Sequence, residues 1–154
     1  MSTLIREAND DDLVVMEGEI REIDRMEFDV MSGGKSVSEC LDHLIRRSNK
    51  ARAIYIDGNL VAIYGVLAKT LTSSEGNPWL AATTEIEKPG VRREFAKQTK
   101  PQIVWASQGF DHLWNLVAAE NKIAIRWLKW IGFIFDGTSY SVSGHKFLKF
   151  HIGG

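Results

Sequence analysis

The feature that most constrains the fold is a pair of β-rich segments joined by a tight turn. Residues 53–68 read AIYIDGNLVAIYGVLA, and Asp57, Gly58 and Asn59 separate the two apolar runs. These residue types tolerate the positive φ angles of a short hairpin turn, so the segment predicts two antiparallel strands. A purely parallel, doubly wound sheet needs a crossover helix after almost every strand. The hairpin therefore predicts a mixed α/β, or α+β, sheet protein.

Helix signals occupy the chain before the hairpin. A short strand is expected at Thr3–Glu7, and the polar side chains at 9–12 can then cap the free N–H groups of a helix start. Apolar residues at helical spacing follow, so we expect one long helix that ends at the glycines 33–34. Ser36 and Glu39 have the spacing of a capping box, which predicts a second helix.

The rest of the chain alternates between strand and helix patterns. We expect a loop at 73–78, strands at 79–86, 112–120, 133–140 and 145–152, and helices that begin at Pro89-Gly90 and span 122–131. Pro101 is expected to end or kink the first of these two helices. The order is β-α-α-β-β-β-α-β-α-β-β, with about seven strands and about four helices in total.

Composition limits the classes of function. The 154 residues are 44% apolar and show no linker, which predicts a single domain over 1–154. The formal net charge is -1, so no global positive field attracts nucleic acid. No apolar run reaches the ~18 residues of a spanning helix, so no membrane partner is expected.

The cysteine and histidine content gives two further expectations. Cys40 is the only cysteine, which excludes an internal disulfide and favours a reducing, cytoplasmic location. The acidic N-terminal segment shows no secretory signal. The four histidines have no metal-ligand spacing, so no metal site is expected.

The segment 122–131, KIAIRWLKWI, is amphipathic at helical periodicity and predicts a helix that packs on the sheet. Asn121 stands where a side-chain oxygen caps the first turn, and Gly132 stands where a left-handed residue ends a helix. A purely structural role explains both residues. The spacing also permits a functional interpretation.

Asn121, Ala124, the pair Trp127-Leu128 and Gly132-Phe133 reproduce the pattern N-x-x-A-x-x-bulky-bulky-x-x-x-G-F. This segment resembles the C-terminal motif of the Gcn5-related N-acetyltransferase (GNAT) superfamily, and the order of elements is similar along the whole chain. The resemblance implies a GNAT-like, mostly antiparallel central sheet. The segment is also similar to a small GNAT-like protein encoded among the virion genes of T7-like podophages, which implies a bacteriophage protein.

The resemblance implies an acyl-coenzyme A site. In this superfamily the fourth and fifth strands splay apart, and the pantetheine arm of the cosubstrate, acetyl-CoA, pairs with the exposed strand edge. The residues expected to bind the cofactor are Ile86, Gly90, Val91, Arg92, Arg93, Asn121 and Trp127. The acceptor is expected to be an amine, either a small molecule or a lysine of a host or phage protein.

The phosphate-binding loop departs from the family pattern Q/R-x-x-G-x-G/A. Residues 87–92 keep only the central Gly90, with Glu87 and Arg92 at the two other defined positions. Lys88, Arg92 and Arg93 can compensate by contacting phosphate. The same basic residues are explained equally well if they lie at the start of a helix and face water without binding phosphate.

The catalytic groups must each be found separately. Glu85, on the strand expected to flank the cofactor, is the candidate base, although an exposed strand carboxylate is its ordinary role. The family's usual acid is a tyrosine at the position of Leu128, which cannot donate a proton. Tyr140 on the following strand is the candidate substitute.

Two main functions remain open from the sequence, and a regulator that binds coenzyme A without transferring a group is a minor third. The chain is either an acetyl-CoA-dependent N-acyltransferase, which the intact helix motif favours, or a catalytically degenerate GNAT-fold phage protein. The second function would be virion assembly or the binding of a host protein.

Overall fold

The computed structural model describes residues 1–68, 70 and 74–153. The strands in this part are β1 (Thr3–Glu7), β2 (Ser48–Ile56), β3 (Asn59–Ala68), β4 (Glu75–Ala82), β5 (His112–Ala118), β6 (Ile134–Val142) and β7 (His145–Gly153). The α-helices are α1 (Asp10–Glu19), α2 (Glu22–Ser32), α3 (Val37–Arg47), α4 (Pro89–Thr99), α5 (Gln102–Ser107) and α6 (Lys122–Ile131). Thr84–Glu87 form a short 3-10 helix.

The seven described strands form one sheet in the order β1-β2-β3-β4-β5-β7-β6. Every neighbouring pair is antiparallel except β4 with β5, which run parallel. The predicted mixed, mostly antiparallel sheet is therefore confirmed. Helices α1 to α3 pack mainly on one face, and α4 to α6 pack mainly on the other.

The hairpin between β2 and β3 is confirmed by its turn geometry. Asp57 and Gly58 have φ angles of 51° and 82°, as a turn with two left-handed residues requires. The side chain of Asp57 also accepts the Ser2 N–H at 2.8 Å, which holds the start of the chain beside the turn.

The expected long first helix is wrong, because α1 and α2 are separate. Ile20 leaves the helical conformation with ψ 143° and forms a bridge with Thr83, and the Arg21 N–H donates to the Ala82 carbonyl at 3.0 Å. The bond to Ala82 replaces the helical hydrogen bond that the Arg21 N–H would otherwise make at the break. The helices therefore number six rather than four among the described residues.

The boundaries of β4 and β5 also differ from the prediction. A loop was expected at 73–78, but β4 already begins at Glu75. Ser73, the first residue of that expected loop, lies outside the described residues. β4 ends early because Thr83 caps the 3-10 helix by accepting the Glu85 N–H, and β5 ends at Ala118. Pro101 separates α4 from α5, as the sequence predicts.

No helix among the described residues has both the length and the apolar character needed to span a bilayer.

Candidate functional site

The central strands β4 and β5 separate soon after they begin. They pair only through Glu75 with His112 and through Gly76 with Leu113. Beyond these residues β4 continues to pair with β3, and β5 continues to pair with β7. The divergence expected between the fourth and fifth strands is therefore present. It leaves a gap in the middle of the sheet, the β4–β5 gap.

The inner edge of β4 presents peptide groups to this gap. The Thr83 N–H donates to the Val61 carbonyl of β3 at 2.9 Å. Peptide groups of alternate residues point to opposite sides of a strand, so the odd-numbered residues of β4 face β3 and Leu80 faces the gap. Pro78, which has no N–H, lies on the same side as Leu80. The Leu80 N–H and carbonyl are thus positioned to bind a ligand laid along the gap.

Two asparagine side chains close the narrow end of the gap. Asn77 Nδ2 donates to the Trp114 carbonyl at 2.9 Å, and Asn115 Nδ2 donates to the Pro78 carbonyl at 2.8 Å. Asn115 Oδ1 accepts the Leu116 N–H, also at 2.8 Å. Backbone groups that lose a ladder partner inside a protein need a replacement, and these amides supply it. They fix the point at which the strands part.

A cavity of about 480 Å³ spans the β4–β5 gap. Its walls come from α2 and α3 on one face of the sheet and from α4, α5 and α6 on the other. The residues that line it include Glu27, Met31, Ala106, Asn121, Trp127 and Leu128. A mainly apolar cavity of this size with a few polar groups is typical of a small-molecule site.

Glu27 of α2 bridges to the wide end of the gap. Its Oε2 atom accepts the Ala118 N–H at 2.8 Å, and its Oε1 atom accepts an Asn121 Nδ2 proton at 3.0 Å. Burial raises the pKa of Glu27 to about 7, and the hydrogen bond from Ala118 opposes that rise only in part. A carboxyl group with this pKa can take up and release a proton near neutral pH.

A buried ion pair lies beside Glu27. Arg21 Nε donates to Asp24 Oδ2 at 2.7 Å, and the two side chains are only 4% and 2% exposed. Burial raises the pKa of Asp24 to about 6, although the charge of Arg21 opposes the rise. Arg21 Nη2 also donates to Asn121 Oδ1 at 3.4 Å. The pair therefore ties the start of α2 to the start of α6.

The junction between α1 and α2 covers the end of β4. The Ala82 carbonyl accepts the Arg21 N–H, and the Ala82 backbone lies close enough to the Asp24 carboxylate to oppose the rise in the pKa of Asp24. Arg21 and Asp24 thus lie against the backbone of Ala82. A ligand in the gap has the peptide groups of Leu80 available but not those of Ala82.

Asn121 and Gly132 have the structural roles that the sequence predicts. Asn121 Oδ1 accepts the Ala124 N–H at 3.3 Å and caps α6, and Gly132 ends that helix with a φ of 119°. Asn121 also lines the cavity, as does Trp127, whose Nε1 atom donates to Thr99 Oγ1 at 2.8 Å. Of the residues expected to bind the cofactor, the structure brings these two together.

The expected base and acid lie outside the cavity wall. Glu85 is on the 3-10 helix rather than on β4, and its carboxylate lies 2.5 Å from Lys88 Nζ. Tyr140 is on β6 and 47% exposed. Leu128, at the position of the family tyrosine, is buried on the cavity wall. The structure therefore places no hydroxyl group at the Leu128 position.

The start of α4 lies apart from the cavity. The residues expected to hold phosphate there are Ile86, Gly90, Val91, Arg92 and Arg93, and none is among the cavity-lining residues of the described structure. Ile86 and Val91 pack in the core beneath the sheet. Lys88, which precedes the first turn, makes no side-chain cap, so N–H groups of that turn remain available to an anion.

No cluster of three or more His, Cys, Asp or Glu side chains suited to a metal ion occurs among the described residues. Cys40 is a free, buried thiol on α3, and it lines the cavity.

Glu27 is the site residue that sequence reasoning missed. It lies four residues after the apolar Ile23, and residues four apart share one face of a helix, so this spacing is the signal that could have placed its carboxylate toward the core. Its partners Ala118 and Asn121 are 91 and 94 residues away in the chain. Only the folded structure shows that they meet.

Comparisons with known proteins support the fold. No family model matches the chain, and no curated protein matches it. A GNAT-family acetyltransferase structure from Streptococcus pneumoniae is 14% identical, has a TM-score of 0.66, and matches over 98% of this chain and 99% of its own. The ribosomal-protein-alanine N-acetyltransferase from Brucella melitensis is 12% identical, with a TM-score of 0.67 and coverage of 98% and 99%.

A third similar structure contains ligands. Spermidine N-acetyltransferase from Vibrio cholerae, in complex with CoA and spermine, is 13% identical, with a TM-score of 0.64 and coverage of 97% of this chain and 94% of its own. The sheet order, the β4–β5 gap and these matches agree. The chain has the mixed α/β fold of the GNAT acetyltransferases.

Proposed function

We propose that this chain transfers an acetyl group from acetyl-CoA to an amine. The observation that carries the proposal is the divergence of β4 and β5 after Gly76 and Leu113, together with the cavity that spans the gap. An extended, amide-rich arm such as pantetheine can pair with a strand edge in the way an added strand does. The Leu80 peptide groups face the gap and are the partners proposed for that arm.

The cosubstrate phosphates are proposed to lie at the start of α4. Helix N-termini favour anions through free N–H groups and the helix dipole. Arg93 is exposed and has no ion-pair partner among the described residues, so it can contact a phosphate without giving up an existing salt bridge. Lys88 and Arg92 are partly engaged, with the Glu85 carboxylate and the Glu87 carbonyl respectively.

Glu27 is proposed to replace Glu85 as the proton acceptor. It lines the cavity, and burial raises its pKa to about 7. In the proposed reaction the neutral amine nitrogen attacks the thioester carbonyl, the C–N bond forms and the C–S bond breaks. The amine loses one proton to Glu27, and that proton ends on the departing thiolate to give free CoA thiol. Because this proton comes from the amine through Glu27, the thiolate needs no hydroxyl group at position 128 to protonate it.

Release of CoA thiol during steady turnover of acetyl-CoA with a panel of amines tests this proposal. We expect Glu27→Gln to lower kcat by about 100-fold or more, which is typical for loss of a positioned base. Glu22→Gln is the matched control, because Glu22 is exposed at the start of the same helix and should leave turnover unchanged. Equal turnover of wild type and Glu27→Gln would refute the assignment.

The second candidate is a protein that keeps the fold but transfers no acetyl group, and that binds a phage or host protein instead. The buried Leu128 and the occupied peptide groups of Ala82 favour it. It predicts no thiol release with any amine and a stable complex with a partner protein in a pull-down.

A further inference from the structure

One side of the cavity opens between α2 and α3. The wall there includes Phe28, Met31, Cys40 and Leu44. Met31 lines the cavity and is 55% exposed, so this apolar wall reaches the protein surface. The exposed rim and the apolar wall make this the side by which an acceptor can enter.

The charges in this part of the cavity do not suit a polycation. Of the two carboxylates on this wall, Asp24 is already paired with Arg21, which leaves Glu27 to meet a cation. The other ionisable groups on this wall are Lys35, Cys40 and His43, and none of them is a carboxylate. Lys35 at the exposed rim repels a cation, and a polyamine needs several free carboxylates to replace its hydration.

Among the described residues that line this wall, Glu27 is the acidic group that forms no ion pair. An amine that carries one charge needs one such partner, and its remaining body gains free energy by covering the apolar wall. A bound amine would therefore point its nitrogen inward to Glu27 and its apolar body outward to Met31.

We propose that the acceptor is a monoamine attached to an aromatic or branched aliphatic body, and that α2 and α3 bind this body. The inference rests on the proposed acetyl transfer, since it names the substrate class of that reaction. The same chemistry is offered by a free arylalkylamine and by a polypeptide whose first residue is large and apolar. It is not offered by spermidine.

Binding of amines to the full chain tests the inference without turnover. Three probes are titrated by tryptophan fluorescence, with and without CoA: 2-phenylethylamine, a tripeptide that begins with phenylalanine, and spermidine. We expect at least one of the first two to bind about tenfold or more tightly than spermidine. Tighter binding of the tripeptide would identify a polypeptide end as the source, and tighter binding of 2-phenylethylamine would identify a small molecule.

Variants at the rim locate the binding. Met31→Gln should weaken the preferred probe about threefold or more and leave spermidine unchanged. Val14→Gln is the matched control, because Val14 is 74% exposed on α1 and does not line the cavity. Both substitutions are at exposed positions, so folding should be preserved.

Equal or tighter binding of spermidine would overturn the inference, and so would the absence of binding by both apolar amines with and without CoA. Unchanged affinity in Met31→Gln would overturn the proposed location. If the apolar amines bind but CoA does not, the proposed acetyl transfer fails and the preference for apolar amines stands. If CoA binds and the apolar amines do not, only the acceptor class fails.

Discussion

The Glu27 carboxylate accepts the Ala118 N–H at 2.8 Å, although the two residues lie 91 positions apart in the chain. A side chain from α2 thus replaces the strand partner that β5 loses where β4 turns away. The same carboxylate is the candidate base, so the stability of the gap and its proposed chemistry depend on one ionisable group.

The burial of Glu27, which raises its pKa more than the Ala118 hydrogen bond lowers it, predicts that stability falls as pH rises. Glu27 has an unfolded pKa near 4.5 and a folded pKa of about 7, so the folded state binds more protons between these values. Its contribution is fully present below pH ~4.5 and is lost as the pH rises through about 7. Asp24 acts in the same direction, with a folded pKa of about 6. The loss due to Glu27 should be about 1–3 kcal/mol, since partial exposure reduces the full linkage value.

Glu27→Gln provides the measurement. The free energy of unfolding in urea, measured from pH 5 to pH 8, should fall less steeply in the variant than in the wild type. Parallel curves for the two proteins would show that Glu27 is not the titrating group.

The buried ion pair predicts strong coupling between Arg21 and Asp24. Arg21→Met leaves the Asp24 charge buried without its partner and should cost about 3–5 kcal/mol. The double variant Arg21→Met/Asp24→Leu should recover most of that loss, because both charges are then absent. Arg46→Met is the control, since the Arg46–Asp42 pair is exposed and its loss should produce no measurable change. Additive single effects in urea unfolding would contradict the coupling.

A glycine on β3 should be irreplaceable for steric reasons. An added Cβ at Gly65 would overlap the Lys50 carbonyl oxygen and lie 2.8 Å from Trp79 Cζ2, so Gly65→Ala should cost about 1–3 kcal/mol or more. Gly18→Ala is the matched control on α1, where a Cβ meets nothing within 4 Å. It should stabilise the protein by about 0.5–1 kcal/mol, because alanine favours the helix. Equal effects of the two substitutions would contradict the packing.

Replacing Leu128 tests whether the missing hydroxyl limits catalysis. Leu128→Tyr places a proton donor on the cavity wall and should raise kcat for acetyl transfer about tenfold. Val104→Tyr is the control, because Val104 is 67% exposed on α5. If wild type turns over and Leu128→Tyr shows no gain, then departure of the thiolate does not limit the rate.

Local signals made much of the fold predictable. The hairpin at Asp57-Gly58 and the limits of α6 at Asn121 and Gly132 each depend on residues adjacent in sequence, and the structure has them where they were expected. The break after α1 was not predictable from local pattern. Ile20 and Arg21 are compatible with a helix, and a distant contact with β4 determines their conformation.

The candidate site was predicted less completely for the same physical reason. Asn121 and Trp127 belong to a motif with local spacing, and both line the cavity. Glu85 was assigned to a strand that ends three residues earlier, so its side chain pairs with Lys88 instead. The role of Glu27 depends on hydrogen bonds to residues more than 90 positions away, which no local pattern encodes.

We propose that the β4–β5 gap holds the pantetheine arm of acetyl-CoA. Ala106 of α5 lines the cavity, whereas Val104 on the same helix faces solvent. Phenylalanine at position 106 should therefore fill the gap, and phenylalanine at position 104 should not.

Calorimetric titration of CoA into wild type, Ala106→Phe and Val104→Phe is the most direct test. Wild type and Val104→Phe should bind CoA with equal affinity, and Ala106→Phe should bind it about tenfold or more weakly while remaining folded. No binding to wild type at millimolar CoA, or equal binding to all three proteins, would contradict the claim.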